Sequence, residues 1–523
     1  MKNILHYWKL ACCTAASVLI VSCGNGADYR NILPADSFVT MSVNPASLSK
    51  KSGAGDIAQN PLFIRLKAEI DKEESLSAEE KKYLLTLLKN PEESGIDTKN
   101  DLFFFMSMAG ANPLEPMMKG GLLLPIGDKA KFDALVARVS EKTGTKPVTA
   151  DGLSIFNISQ GRSESVAFAY NDVALLAFCA QMSPEAVNET VKRLFAQKQS
   201  ESLMGNQAVA EPLSRQNDIN MVISYAGMTS VMNNPMLSAM PMIDALKGAM
   251  MVCSTNFEKG QIVSDAAFAF KDKESERKMK DFYAYVKPQT GALLQYVPAN
   301  CIGTVAYGLN GEKFYSVLSS IPGYGMLMAN PLVKQVMDAF DGDFVISFSG
   351  MTADGQYPVA SLLAQVKDAA VLETAVANMA GMPVQKISDG AYVLNMGPVA
   401  VQFGVKDKVL YVTTDAAVKA AIDGSKLESL TSMSKIFKNQ SGTLYLDFKA
   451  LNTLIFRLVG ADVTPQIGVA FSVLGMFDDM QAYGDMDGGK VIVNMTDKQQ
   501  NAFKTICDKT GELIRQFAPE VGL

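Results

Sequence analysis

Histidine is almost absent from this 523-residue chain: His6 is the only one, and Trp8 is the only tryptophan. Both fall in an N-terminal segment that reads as cleaved, so the mature protein is expected to hold neither. Ser-His-Asp and Cys-His catalytic arrangements are then excluded, as are zinc sites that use imidazole. A basic excess is also missing. Lys and Arg total 48 against 54 Asp and Glu, a formal charge of −6, which leaves no electrostatic footprint for nucleic acid. No apolar run reaches the roughly 20 residues that a spanning helix needs. What remains is a chain with 48% hydrophobic and 20% charged residues, which fits a large buried core in two or more domains.

The first 22 residues have the plan of a signal peptide: Lys2 and Lys9, then an apolar run from Leu10 to Val21. The run ends in Ile20-Val21-Ser22-Cys23, which resembles a bacterial lipobox. That resemblance implies a diacylglyceryl group on the Cys23 sulfur and cleavage before it. Two or more acyl chains anchor a protein stably where one does not. Residues 23–31 would be a lipidated tether, spanning at most roughly 30 Å when extended.

An internal repeat dominates the rest. Leu33-Pro34-Ala35-Asp36 is echoed by Val297-Pro298-Ala299-Asn300, and the stretch from Asp101 to Ser107 by Asp343 to Ser349. Leu122–Val139 matches Leu362–Met379 with Asp128/Asp368 and Val136/Val376 in register. Further on, Asp151-Gly152 matches Asp389-Gly390, and Phe168, Asp172 and Leu175 match Phe403, Asp407 and Leu410. Preserved order with a drifting offset points to tandem duplication, with domains at 32–290 and 295–523. Apolar runs bounded by turn residues predict strands, among them Leu102–Met108, Leu153–Ile158 and Val409–Thr413. Tight turns at Asn171-Asp172 and Lys406-Asp407 predict hairpins. Ser77-Ala78-Glu79-Glu80 is a capping box, Ser183-Pro184 a helix start, and Asp128 and Asp368 are expected caps. The fold class is α+β, each half a largely antiparallel sheet with packed helices.

The lipobox, Ile32-Leu33-Pro34-Ala35-Asp36, and Ser94-Gly95-Ile96-Asp97 leading into Asp101-Leu102-Phe103 together resemble the uncharacterised Bacteroidetes lipoproteins grouped as domain of unknown function 4836. The resemblance covers nearly the whole mature chain and brings no activity or catalytic residue. Surface lipoproteins of that group often carry an acidic run after the lipidated Cys. Gly24-Asn25-Gly26-Ala27 lacks one, so the expected location is the periplasmic face of the outer membrane.

Candidate chemistry is sparse. Fragments of a Ser-Lys hydrolase occur as Ser47-x-x-Lys50, Ser254-Thr255-Asn256, Lys142-Thr143-Gly144 and Lys509-Thr510-Gly511, but both Lys-Thr-Gly triplets fall in helical patterns where that fold needs a strand. Asp485-Met486-Asp487-Gly488 starts like a calcium loop and lacks its later ligands. Paired carboxylates remain as a third route to hydrolysis, with no Trp platform to hold a sugar. Of Cys179, Cys253, Cys301 and Cys507, the repeat sets Cys179 against Thr414 and Cys301 against Ser37, so the four read as small buried residues, with a disulfide in either half as the alternative. Eight Met lie between Met221 and Met251, with Met228, Met232, Met236 and Met240 four apart. Aligning Ile223 with Tyr445 places Ala450, Leu454 and Leu458 opposite the first three, which argues for packing volume over a Cu(I) site. The expectation is a non-enzymatic binding or scaffold protein without metal or cofactor, whose partner is an envelope protein or an apolar ligand. The alternative is a carrier or sensor of an apolar molecule such as lipid, which calls for an internal cavity well above about 300 Å³.

Overall fold

Antiparallel strands, many of them joined as hairpins, alternate with helices along the chain. The computed structural model describes residues 28–53, 61–109, 117–159, 165–226, 241–321, 323–377, 383–460 and 464–521. In the first half the strands are β1 (Ser37–Val43), β2 (Leu102–Ala109), β3 (Met117–Pro125), β4 (Val148–Ala150), β5 (Leu153–Ser159), β6 (Ser165–Tyr170), β7 (Ala174–Ala180), β8 (Ile219–Ser224), β9 (Ala249–Glu258) and β10 (Gln261–Phe270). A short β11 (Val286–Lys287) precedes the second set. This comprises β12 (Gly303–Asn310), β13 (Phe340–Met351), β14 (Pro358–Val366), β15 (Val384–Ser388), β16 (Ala391–Met396), β17 (Val399–Lys406), β18 (Val409–Thr413), β19 (Gly442–Asp447), β20 (Phe477–Gly484) and β21 (Gly489–Met495). All of these pairings are antiparallel.

The first half runs β4-β5-β6-β7-β3-β2-β1-β8-β9-β10. The second runs β15-β16-β17-β18-β14-β13-β12-β19-β20-β21. These are the same order, strand for strand. Their last strands pair with each other, Gln261 opposite Asn494 and Ala266 opposite Gly489, so one sheet runs through both halves. Smaller details recur as well. Pro34 bridges Ser202 as Pro298 bridges Ser429. Leu203 N donates to Leu33 O at 3.0 Å, and Leu430 N to Val297 O at 2.8 Å.

The expected starts and turns are present. Ser77 and Glu80 cap each other's backbone, Ser183 and Asp128 cap their helices, and Asp368 Oδ1 accepts from Ala370 N at 2.9 Å. The second-half hairpin turn is one residue later than the spacing suggested. Asp407 and Lys408, at φ 50° and 62°, form it, a left-handed pair that matches the twist of the flanking strands. The ladders also shift the methionine comparison. Val39 pairs with Ile223 and its counterpart Gly303 with Leu446, so Ile223 corresponds to Leu446 and not to Tyr445. The residues then opposite Met228, Met232 and Met236 are Leu451, Ile455 and Val459, which are still apolar. The four spaced methionines themselves, like Cys23, lie outside the described residues.

Alternation on the strands gives the first-half sheet two apolar faces. Phe103, Phe105, Leu123, Leu176 and Phe178 point to one, where they pack with Val187, Val191 and Leu194 in a closed core. Their neighbours in sequence point to the other, and there the packing is incomplete. Cys301 is buried, but Cys179 is exposed, contrary to the expectation from its residue type, because it falls on that second face.

Candidate functional site

The second face of β3, β5, β6 and β7 presents Leu122, Leu124, Phe156, Phe168, Tyr170, Leu175 and Ala177. Two helices roof it. One, here α1 (Ala78–Lys89), contributes Tyr83, Leu84 and Leu87. The other, α2 (Lys129–Thr143), contributes Phe132, Leu135, Val136 and Val139, the one-turn spacing of an inward stripe. Between roof and floor lies a cavity of about 600 Å³ with an apolar wall. Ligand pockets fall between about 300 and 1,000 Å³. A void this large forfeits contacts that a packed core would make, so retaining it calls for a reason other than stability.

The mouth carries the charge. Lys142, in the last turn of α2, reaches Glu80 in the first turn of α1 at 2.9 Å and donates to Ser75 O at 3.1 Å. Ser77 N donates to Glu80 Oε2 at 2.6 Å. Those donors, Lys142 first, hold the Glu80 carboxyl well below its usual range, down to about 2. The clasp between the helices is therefore charged at any physiological pH. Arg138 lies over the Tyr83 ring, 4.3 Å from its centroid, and burial pushes the Tyr83 hydroxyl up. Glu79 and Glu141 complete the rim.

The closed end is built by Ser94-Gly95-Ile96-Asp97. Ile96 bridges Ile126, Asp97 N donates to Pro125 O at 2.8 Å, and Gly95 O accepts from Gly127 N and Asp128 N at 2.9 and 3.1 Å. Ser94 Oγ donates to Pro91 O and accepts from Ile96 N. This knot ties the end of α1 to the start of α2, which fixes the height of the roof over the floor. Sequence reading found the motif without its purpose.

Just beyond it stands Asp101, whose Oδ1 accepts from Asn44 Nδ2 at 3.0 Å and whose carbonyl takes the Tyr29 hydroxyl at 2.6 Å. Burial raises its carboxyl from 3.8 to about 6. The native state thus holds a proton that the unfolded chain releases, so stability falls as pH rises from about 4 to 6 and stays reduced above that. Asp101→Asn keeps the acceptor and removes the charge. It is expected to raise stability at pH 7 by about 1–2 kcal/mol and to leave it unchanged at pH 4, as read from urea midpoints at the two pH values.

The hydrolase fragments are only partly brought together. Ser47 Oγ donates to the buried Asp218 at 2.5 Å beside Lys51, and Asp218 N donates to Asn256 Oδ1 at 3.4 Å. Both Lys-Thr-Gly triplets lie elsewhere: Lys509 pairs with Glu512 along the C-terminal helix, and Lys142 closes the clasp. Asp485 Oδ1 accepts from Asp487 N and Gly488 N, the pattern of a hairpin turn. Among the described residues no cluster of three His, Cys, Asp or Glu could hold a metal, and no helix is long and apolar enough to cross a membrane.

The fold and site define a mixed helix-and-sheet protein with a long antiparallel sheet and one helix-roofed apolar cavity in its first half. The chain belongs to the family described as domain of unknown function DUF4836, which matches residues 29–450. Solved structures of TP0453 are similar to parts of it. Crystal form IV is 10% identical with a TM-score of 0.24, covering 44% of this chain and 99% of that one. Crystal form I is 9% identical with a TM-score of 0.21, covering 44% and 98%. A likeness that loose carries no functional weight. No curated protein matches the sequence.

Proposed function

We propose that the protein is a non-enzymatic carrier or sensor of an apolar molecule, a lipid of the cell envelope. The cavity of about 600 Å³ under α1 and α2 carries this reading. Its wall is aliphatic and aromatic, and Glu80 at its mouth is committed to Lys142 and Ser77, which leaves that carboxylate unsuited to proton transfer. Native mass spectrometry of the protein purified from its own envelope tests the reading. Adducts in the mass range of one lipid support it, and bare protein overturns it.

A second reading, a scaffold that binds another envelope protein, is favoured by one observation. On the second-half sheet Tyr307, Ile346 and Val412 are 45%, 46% and 36% exposed, on the face that corresponds to the cavity floor. A co-purifying protein in the same spectra would favour this reading.

The remaining parts of the proposal concern origin and place. The two halves, 32–290 and 295–523, derive from one duplicated unit; the shared strand order supports this. The protein is held by acyl chains on Cys23 at the periplasmic face of the outer membrane. Cys23→Ser is expected to abolish palmitate labelling and move the protein from the membrane to the soluble periplasmic fraction, since the chains supply the membrane affinity. A mutant that stays with the membrane would show a second anchor.

A further inference from the structure

Resting on the carrier reading, we infer that the cavity takes a single-chain amphiphile with a zwitterionic head group, which the α1–α2 rim reads by its phosphate and its ammonium.

Size sets the tail. At roughly 30 Å³ per carbon-sized group, the share that water takes in its liquid, about 600 Å³ holds some twenty groups, one acyl chain and not two. Charge sets the head. Of the five ionic side chains at the rim, Glu80 and Lys142 satisfy each other. The other three are Arg138, Glu79 and Glu141. Among the described residues none of them has an opposite charge within 4.0 Å.

Their placement is ordered. Arg138 is stacked on Tyr83, which holds the guanidinium plane while leaving its N–H edge free to donate to a phosphate. Glu79 is one turn before Tyr83 on α1, and Glu141 one turn after Arg138 on α2, so each acid shares a helix face with one member of the stack. One fixed cation flanked by two acids complements a head that carries both signs. A plain carboxylate would satisfy Arg138 and meet both glutamates, and an uncharged head would leave all three unpaired.

Displacement of an uncharged naphthylamine dye from the full-length protein tests this, with palmitoyl lysophosphatidylethanolamine, palmitic acid and hexadecanol as competitors. The lysophospholipid is expected to bind about tenfold tighter than either of the others. Arg138→Gln should bring it to the level of hexadecanol, with cooperative urea unfolding showing that the variant is folded. Glu79→Gln with Glu141→Gln should bring it to the level of palmitic acid. If hexadecanol competes as well as the lysophospholipid, the head is not read and this inference fails while the carrier reading stands. If palmitic acid binds tightest, the rim is a simple anion site and the inference again fails. If no competitor displaces the dye, the carrier reading itself is lost.

Discussion

Replacing Ala177 by tryptophan is expected to strip the protein of its apolar ligand while leaving the fold standing. Ala177 is the smallest side chain on the cavity floor, directly opposite Leu122 on β3 and Phe168 on β6. An indole there projects between the roof helices and the sheet, into space that no protein atom fills. Overpacking a filled core costs about 1–3 kcal/mol; here the added volume enters a void, so the cost should fall at or below the low end of that range. Dye binding should weaken at least about tenfold and lipid adducts should vanish from native spectra. The substitution supplies its own readout, because Trp8 is the only other tryptophan and precedes the expected cleavage site. Emission of the new tryptophan should be that of a buried indole. Wild-type affinity in Ala177→Trp would place the ligand elsewhere.

What could be read from the sequence here is what depends on neighbours in the chain. Ser77 with Glu80, Ser183 with Pro184 and the strand alternation at Val166–Tyr170 act within a few residues, and each element formed where its pattern lies. The repeated Pro-Ala motifs fall at corresponding bridges in the two halves, although the partners, Ser202 and Ser429, lie far along the chain. The cavity was not legible. Leu122, Phe168 and Leu175 read alike over a filled core and over a hollow one, because the gap is set by how far α1 and α2 stand off the sheet. That distance is fixed by the Ser94–Asp97 knot and the Glu80–Lys142 clasp, whose links to the start of α2 and across the helices join residues 28 or more apart. Lys142 shows the difficulty well. By sequence it belonged to a chance Lys-Thr-Gly triplet, and only its 2.9 Å approach to Glu80 shows what it does.

Gly95→Ala is expected to cost about 3–5 kcal/mol and to abolish ligand binding, a large loss from the addition of one methyl group. Two effects add at this position. Gly95 has φ 82°, a left-handed conformation that costs a residue with a Cβ about 1–2 kcal/mol. The methyl would also lie 2.4 Å from Asp128 O and 2.5 Å from Phe132 N. Those two atoms make the first backbone hydrogen bond of α2, at 3.0 Å, so the methyl cannot be seated without moving the helix start. Backbone has no rotamer by which to yield, and the carbonyl of Gly95 already holds Gly127 and Asp128 in place. Gly144 separates the two effects. It ends the same helix at φ 67° with nothing within 4 Å of an added Cβ. Gly144→Ala should therefore cost only about 1 kcal/mol and keep full ligand affinity. Urea unfolding and dye binding on the two variants check this. Equal losses would mean that conformational strain alone is at work and that the knot does not set the height of the roof.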